Sequence, residues 1–209
     1  MLVKVALVKV GGISNVSKMP QECTCWGLSA IFCNVGSKLQ VVEGSVCSFC
    51  YALGGMYVFE NVTNAHARRE EALSDPEWVP AMTTIVIRKP LMRWFDSGDL
   101  RDMALLRNIV EVASRTPDTR HWLPTKEYGL LAKYKRGGGI YPSNLVVRES
   151  APMIDAFFPE SRGLSSGVIK DKPAPDGVYV CPAKEQDNKC GPCRACWDPT
   201  ITRIGYRYH

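Results

Sequence analysis

Three cysteines stand at even three-residue spacing in "KCGPCRACWDP": Cys190, Cys193 and Cys196. Cys181 precedes them, so four thiols fall within sixteen residues. Disulfide bonding would leave one of the three close neighbours unpaired, and thiols this near in sequence rarely reach bridge geometry. The spacing C-x2-C-x2-C instead opens the bacterial ferredoxin ligand run, whose fourth cysteine follows three residues later. Thr200 holds that place here, which makes Cys181 the nearest candidate for the fourth ligand. Gly191 and Pro192 provide the tight turn in which thiolates can converge. Tetrathiolate zinc prefers two separated C-x2-4-C knuckles, whereas cysteines at i, i+3 and i+6 suit the corners of a cluster. The expectation is an iron–sulfur cluster (4Fe-4S) on Cys181, Cys190, Cys193 and Cys196, with zinc as the alternative.

The other five cysteines lie near the start: Cys23, Cys25, Cys33, Cys47 and Cys50. Cys47 and Cys50 form a C-x2-C pair, and Cys33 and Cys25 are available to complete a second ligand set. Cys23 competes with Cys25, and one of the two is expected to ligate. The competing reading of this group is a zinc knuckle that pins the N-terminal loop. Spacing also leaves open a mixed site in which Cys47 and Cys50 meet Cys193, so one cluster or two are expected.

Nine cysteines in two groups call for metal only where thiols stay reduced. The opening "MLVKVALVKVGGIS" has lysines within its apolar part and no small-residue cleavage site, which argues against a signal peptide. No window reaches the ~18 apolar residues that span a bilayer. A cytoplasmic location is expected. Hydrophobic residues make up 45% and charged residues 22%, which excludes a disordered chain. The net charge of +5 comes from dispersed lysines and arginines, so nucleic acid is not the expected partner. A redox partner or host protein fits better.

The elements that must position these thiols follow from periodicity. Residues 2–10 alternate as an edge strand would. Residues 61–82 read as one or two helices, with Asp75 as N-cap and Pro76 in first helical position. The β-branched stretch 83–89 reads as a strand, and so does 92–97. The clearest helix spans 98–118, with Met103, Leu106, Ile109, Val110 and Ala113 on one face and Pro117 as its stop. Residues 119–125 form the next strand, and 126–139 a helix ended by Gly137, Gly138 and Gly139. Strand 144–150, helix 151–158 and strands 165–170 and 177–181 complete the series. This alternation predicts an α/β fold of parallel strands with right-handed crossovers, a partial or open (β/α) barrel. The whole chain, 1–209, is expected to be one domain: a cysteine-rich loop at 23–50, β/α units over 51–180 and a cysteine-rich C-terminal segment at 181–209.

Residues that follow the strands of such a fold line its functional face. Here they are Asp96, Ser97 and Asp99, then Thr125, Lys126 and Glu127, then Arg148, Glu149 and Ser150. Helix capping would account for Ser97, Asp99 and Thr125. Lys126 and Arg148 would suit an anionic ligand such as a cofactor carboxylate. Asp96, Ser97, Asp99, Lys126, Glu127, Arg148 and Glu149 are the candidate catalytic residues. His66, His121 and His209 have no metal-binding spacing and read as structural. Trp26, Trp94, Trp122 and Trp197 flank the motifs as core, or as a shield around a cluster.

At "CSFCYALGG", "RWFDSGDL", "HWLPTKEY" and "CGPCRACWD" the chain resembles the phage gene-product-88 domain proteins, from about Cys25 to His209. That family is in turn similar to radical S-adenosylmethionine proteins, which implies a partial (β/α) barrel with a C-x3-C-x2-C loop after the first strand. On that resemblance Cys47 and Cys50 correspond to the last two cysteines of the loop, and Cys33 to the remaining one. Thirteen residues, not three, separate Cys33 from Cys47. No Gly-Gly-Glu motif is present, since "GGM" at Gly54 to Met56 follows Cys50 too closely. A cluster is better supported than S-adenosylmethionine cleavage, and S-adenosylmethionine stays a candidate cofactor without a motif to hold it. The function expected is an iron–sulfur protein acting in redox or radical chemistry. The alternative is a zinc-stapled module that engages a host protein or nucleic acid.

Overall fold

The computed structural model describes residues 1–14 and 16–208. Seven parallel strands form one open sheet in the order β1-β2-β3-β4-β5-β7-β6: β1 Cys23–Trp26, β2 Leu91–Trp94, β3 Arg120–Thr125, β4 Leu145–Ile154, β5 Ser165–Ile169, β6 Tyr179–Val180 and β7 Arg203–Arg207. The order confirms the α/β class and the open, partly barrel-like sheet. Among the described residues six α-helices accompany it: α1 Val3–Lys9, α2 Asn34–Leu39, α3 Glu60–Ala72, α4 Trp78–Val86, α5 Met103–Arg115 and α6 Tyr128–Arg136.

The two faces of the sheet are covered differently. Side chains alternate across the pleat, so Trp26, Met92, Trp94, Leu123 and Val147 face one way. They pack with Ala6, Trp78, Met82, Ile85, Leu106, Ile109 and Leu131 from α1, α4, α5 and α6 into the larger core. The opposite face carries Cys23, Leu91, Trp122, Ile204 and Tyr206. It is covered by Ala195, Cys196 and Trp197 of the C-terminal segment, with Cys181, Cys190 and Cys193 beside them. Trp197 stacks edge-on to Trp122 at 5.3 Å, and its indole N–H donates to the Met92 carbonyl at 2.9 Å. The thiol-rich tail thus does on this inner face what helices do on the other.

Helix α5 agrees with its sequence pattern, and Asp102 caps it by accepting from the Leu105 amide at 2.8 Å. Four expectations are corrected. Residues 3–9 are helical, because Ala6 and Val10, four apart, both reach the core. The β-branched stretch at 83–89 mostly continues α4: Trp78, Ala81, Met82, Ile85 and Val86 form one buried face, and the Thr83 and Thr84 hydroxyls donate to the carbonyls four residues back. Asp75 and Pro76 precede α4, whose cap position is Glu77; Asp75 accepts from the Glu77 amide and pairs with Lys9. Residues 151–154 extend β4, paired to β5 as far as Ile154↔Val168, where a helix was expected over 151–158. The sequence reading also missed β1 (CTCW) and β7 (RIGYR).

Candidate functional site

Parallel strands deliver the residues after their carboxyl ends to one rim. The residue after β2, Phe95, has φ 57°, a left-handed backbone that is uncommon for a non-glycine side chain. The turn then returns through Gly98, at φ 74°, where a Cβ would stand 2.6 Å from the Leu28 carbonyl oxygen. Gly27 is equally confined, since a Cβ there would lie 2.7 Å from an Asp96 carboxylate oxygen. These two glycines allow the loops after β1 and β2 to touch, and Leu28 N–H donates to the Ser97 carbonyl at 3.1 Å.

The rim residues are tied to one another. Asp99 accepts from the Thr125 hydroxyl at 2.6 Å, the Lys126 amide at 2.8 Å and the Leu100 amide at 2.7 Å, joining the ends of β2 and β3. Burial pushes its carboxyl up to about 6, although those three bonds pull the other way. Glu127 is buried and accepts from the Val35 amide at 2.9 Å, so it anchors the start of α2. Ser97 donates to the Leu28 carbonyl at 2.8 Å and lies 3.1 Å from His66 Nε2. Asp96 accepts from Ser14 at 2.7 Å, and Arg69 donates to Ser14 at 2.9 Å. Capping of α5 therefore falls to Asp102 and not to Ser97 or Asp99.

Two rim candidates are occupied elsewhere. Glu149 pairs with Arg162 at 2.6 Å. Arg148 is fully buried on the inner face and donates to the carbonyls of Ala195, Cys196, Asp198, Ile201 and Thr202. A guanidinium spent on five carbonyls is not available to an anionic ligand; it fixes the tail. Ser150 contributes its carbonyl to Tyr128 at 2.5 Å. His121 and His66 are buried, consistent with structural roles, and His209 lies outside the described residues.

The loop after β1 brings its thiols onto the rim. Cys33 is pushed up to about 12 by burial first and then by the negative charges of Asp99, Cys50, Cys47 and Glu127 around it. Cys47 is also raised by burial, while nearby Lys126 favours its thiolate. The Cys33 and Cys47 sulfurs both lie within 4 Å of the point a Gly36 Cβ would occupy. Cys33, Cys47 and Cys50 are thus neighbours of one another and of Asp99, Lys126 and Glu127. Lines of hydrogen bonds hold this loop down: Ile154 N–H donates to the Gly44 carbonyl at 2.9 Å, and the Tyr51 hydroxyl donates to the Asp96 carbonyl at 2.8 Å.

Cys25 is not with them. It is buried on β1, its sulfur 3.9 Å from that of Cys23. The four C-terminal thiols gather on the inner face. Cys196 is buried, its sulfur 3.2 Å from the Tyr206 hydroxyl, and burial raises it to about 12. Cys193 lies 3.3 Å from the Tyr179 hydroxyl. Cys181 and Cys190 are each raised by burial and further by their thiol neighbours. The fold therefore separates these thiols into two sets, Cys33, Cys47 and Cys50 at the rim and Cys181, Cys190, Cys193 and Cys196 on the inner face. Among the described residues no group of three or more His, Cys, Asp or Glu side chains is drawn together as a ready ion cage. Thiolate donors of this kind are the ones soft metals prefer. Sequence spacing found the thiols; it had no signal for Tyr206 beside Cys196, and it put Arg148 on the rim and not against the tail.

The family model described as gene product 88 matches residues 4–199. No curated protein and no solved structure matches the chain. Among the described residues no helix is long and apolar enough to cross a membrane.

Proposed function

For this chain, which belongs to the phage gene product 88 family, we propose an iron–sulfur protein on a partial (β/α) barrel that acts in redox or radical chemistry. The observation that carries the reading is the convergence of Cys33, Cys47 and Cys50 on Asp99, Lys126 and Glu127, at the ends of β2 and β3. Only tertiary structure can gather thiols from both sides of a thirteen-residue gap against a polar strand-end rim, and that rim is where (β/α) folds place their chemistry. Cys33, Cys47 and Cys50 would hold one cluster, and Cys181, Cys190, Cys193 and Cys196 a second. A bound cluster supplies one-electron transfer. The chain's own groups do the rest: Lys126 offsets thiolate charge, Glu127 holds the α2 end of the loop, and Asp99 locks two strand ends together. S-adenosylmethionine as a further ligand at the three-thiol rim is the finest grain of this reading, and a cytoplasmic redox partner its natural complement.

Protein purified and reconstituted without oxygen should be brown, contain iron and acid-labile sulfide, and bleach on reduction. Cys47→Ser should lose the rim share of the iron and keep the rest. A colourless chain with stoichiometric zinc after the same reconstitution would replace this reading with the zinc-stapled module. The covered inner face, where thiols sit within packed core, is the observation that favours that second reading.

A further inference from the structure

We propose that Cys23 is a ligand of the inner-face centre, so that this site joins strand β1 to the C-terminal segment, with Arg93 as its counter-charge. The inference rests on the reading that the C-terminal thiols hold a metal, and it adds a ligand that neither spacing nor resemblance assigns. Cys23 lies on the inner face of β1 and, like Cys181, Cys190 and Cys193, packs against the buried cluster of Leu91, Trp122, Ala195, Cys196, Trp197 and Ile204. Two contacts hold the loop before β1 onto the tail at that level. The Cys190 amide donates to the Lys18 carbonyl at 2.8 Å, and Arg194 pairs with Glu22 at 2.5 Å. Residues 18–23 and 190–194, remote in sequence, are thereby held in one register.

Arg93 gives an independent reason to expect an anion here. On β2 it is in register with Cys25, its guanidinium lies 4.8 Å from the Trp122 ring centre, and it donates to the Met19 sulfur at 3.4 Å. Its Nε is buried and has no hydrogen-bond partner among the described residues. A buried guanidinium with an idle N–H is an incomplete arrangement. Thiolates carrying the negative charge of a metal–thiolate centre would complete it, each bound thiol releasing its proton to solvent as the metal binds. The ligand class is a soft thiophilic metal, either a divalent ion or the iron of a cluster.

Co2+ reports the number of thiolates directly. The full chain carrying Cys33→Ser and Cys47→Ser, which silences the rim, would be made metal-free and titrated with Co2+ without oxygen. We expect thiolate-to-cobalt absorption, weakened at least tenfold in Co2+ affinity by Cys23→Ser and by Cys193→Ser, and unchanged by Cys25→Ser. Arg93→Gln should weaken affinity with the same spectrum, because it removes charge and not a ligand. Alkylation mapped by mass spectrometry supplies a test without substitution in the site: Cys23 should be modified in the metal-free chain and protected by Co2+. If Cys193→Ser weakens binding while Cys23→Ser does not, and Cys23 stays unprotected, the inference is overturned and the metal reading stands. If the rim-silenced chain binds no Co2+ at all, the metal reading of the tail falls first.

Discussion

Replacing Arg148 by methionine should detach the C-terminal segment from the inner face. The side chain is fully buried, and it donates to the carbonyls of Ile201 and Asp198 at 2.7 Å and of Ala195 at 3.0 Å. Longer bonds reach Cys196 at 3.2 Å and Thr202 at 3.4 Å. A hydrogen bond from a charged donor is worth roughly 1.5–3 kcal/mol, and a buried acceptor left unpaired costs roughly 1–3 kcal/mol. Counting only the three short bonds gives a gross loss of about 5–9 kcal/mol. Methionine recovers some packing, removes the cost of burying a charge, and lets water reach the partly exposed carbonyls, so a net loss of about 3–5 kcal/mol is expected. With a urea m-value near ~2 kcal/mol/M, the unfolding midpoint should fall by about 2 M. Arg148→Lys should recover part of this, because a compact ammonium cannot span five carbonyls. Limited proteolysis should cut the variant between residues 190 and 202 before the rest of the chain. A loss below about 1 kcal/mol, with the tail still protected, would refute the clamp.

Asp99 should make stability fall as pH rises. Its folded pKa, about 6, is above the ordinary carboxylate value, so the native state binds more protons than the unfolded chain between about pH 4 and 6, and stability declines across that window. The contribution is about 3 kcal/mol, and Asp99→Asn should flatten the slope in pH-dependent urea titrations; identical slopes would dismiss the burial argument. His121 has the opposite sign. Burial lowers its pKa to about 3, so the unfolded chain takes up the proton first and stability is lost as pH falls from about 6.5 toward 3. Its tautomer follows from its partners: the Thr116 hydroxyl donates to the Val112 carbonyl, which leaves its oxygen to accept from Nε2–H, while Nδ1 accepts from Trp94. NMR of the ring nitrogens should show a neutral Nε2–H imidazole at pH 5, and an imidazolium there would contradict the packing.

The two thiol groups, the helix α5 with its buried stripe, the strands β2 to β5 and the parallel α/β class were all legible in the sequence. They rest on local spacing, which the chain carries in itself: three-residue intervals for the thiols, a 3.6-residue period for α5, short runs between turn and helix signals for the strands. Where two local signals conflicted, the tertiary structure decided. The β-branched run at 83–87 is a helix because Trp78, Met82 and Ile85 needed one buried face on the sheet, and packing outweighs an intrinsic preference of less than ~1 kcal/mol per residue. The same holds for residues 3–9. Nothing local could show that Arg148 faces inward and spends its charge on a tail fifty residues later, or that Glu127 reaches back to the Val35 amide. Nor could spacing show that Cys25 leaves Cys33, Cys47 and Cys50 to sit beside Cys23. On a strand, residues two apart share a face, and which face each pair shares is set by the register of the neighbouring strands, which exists only once the sheet has formed.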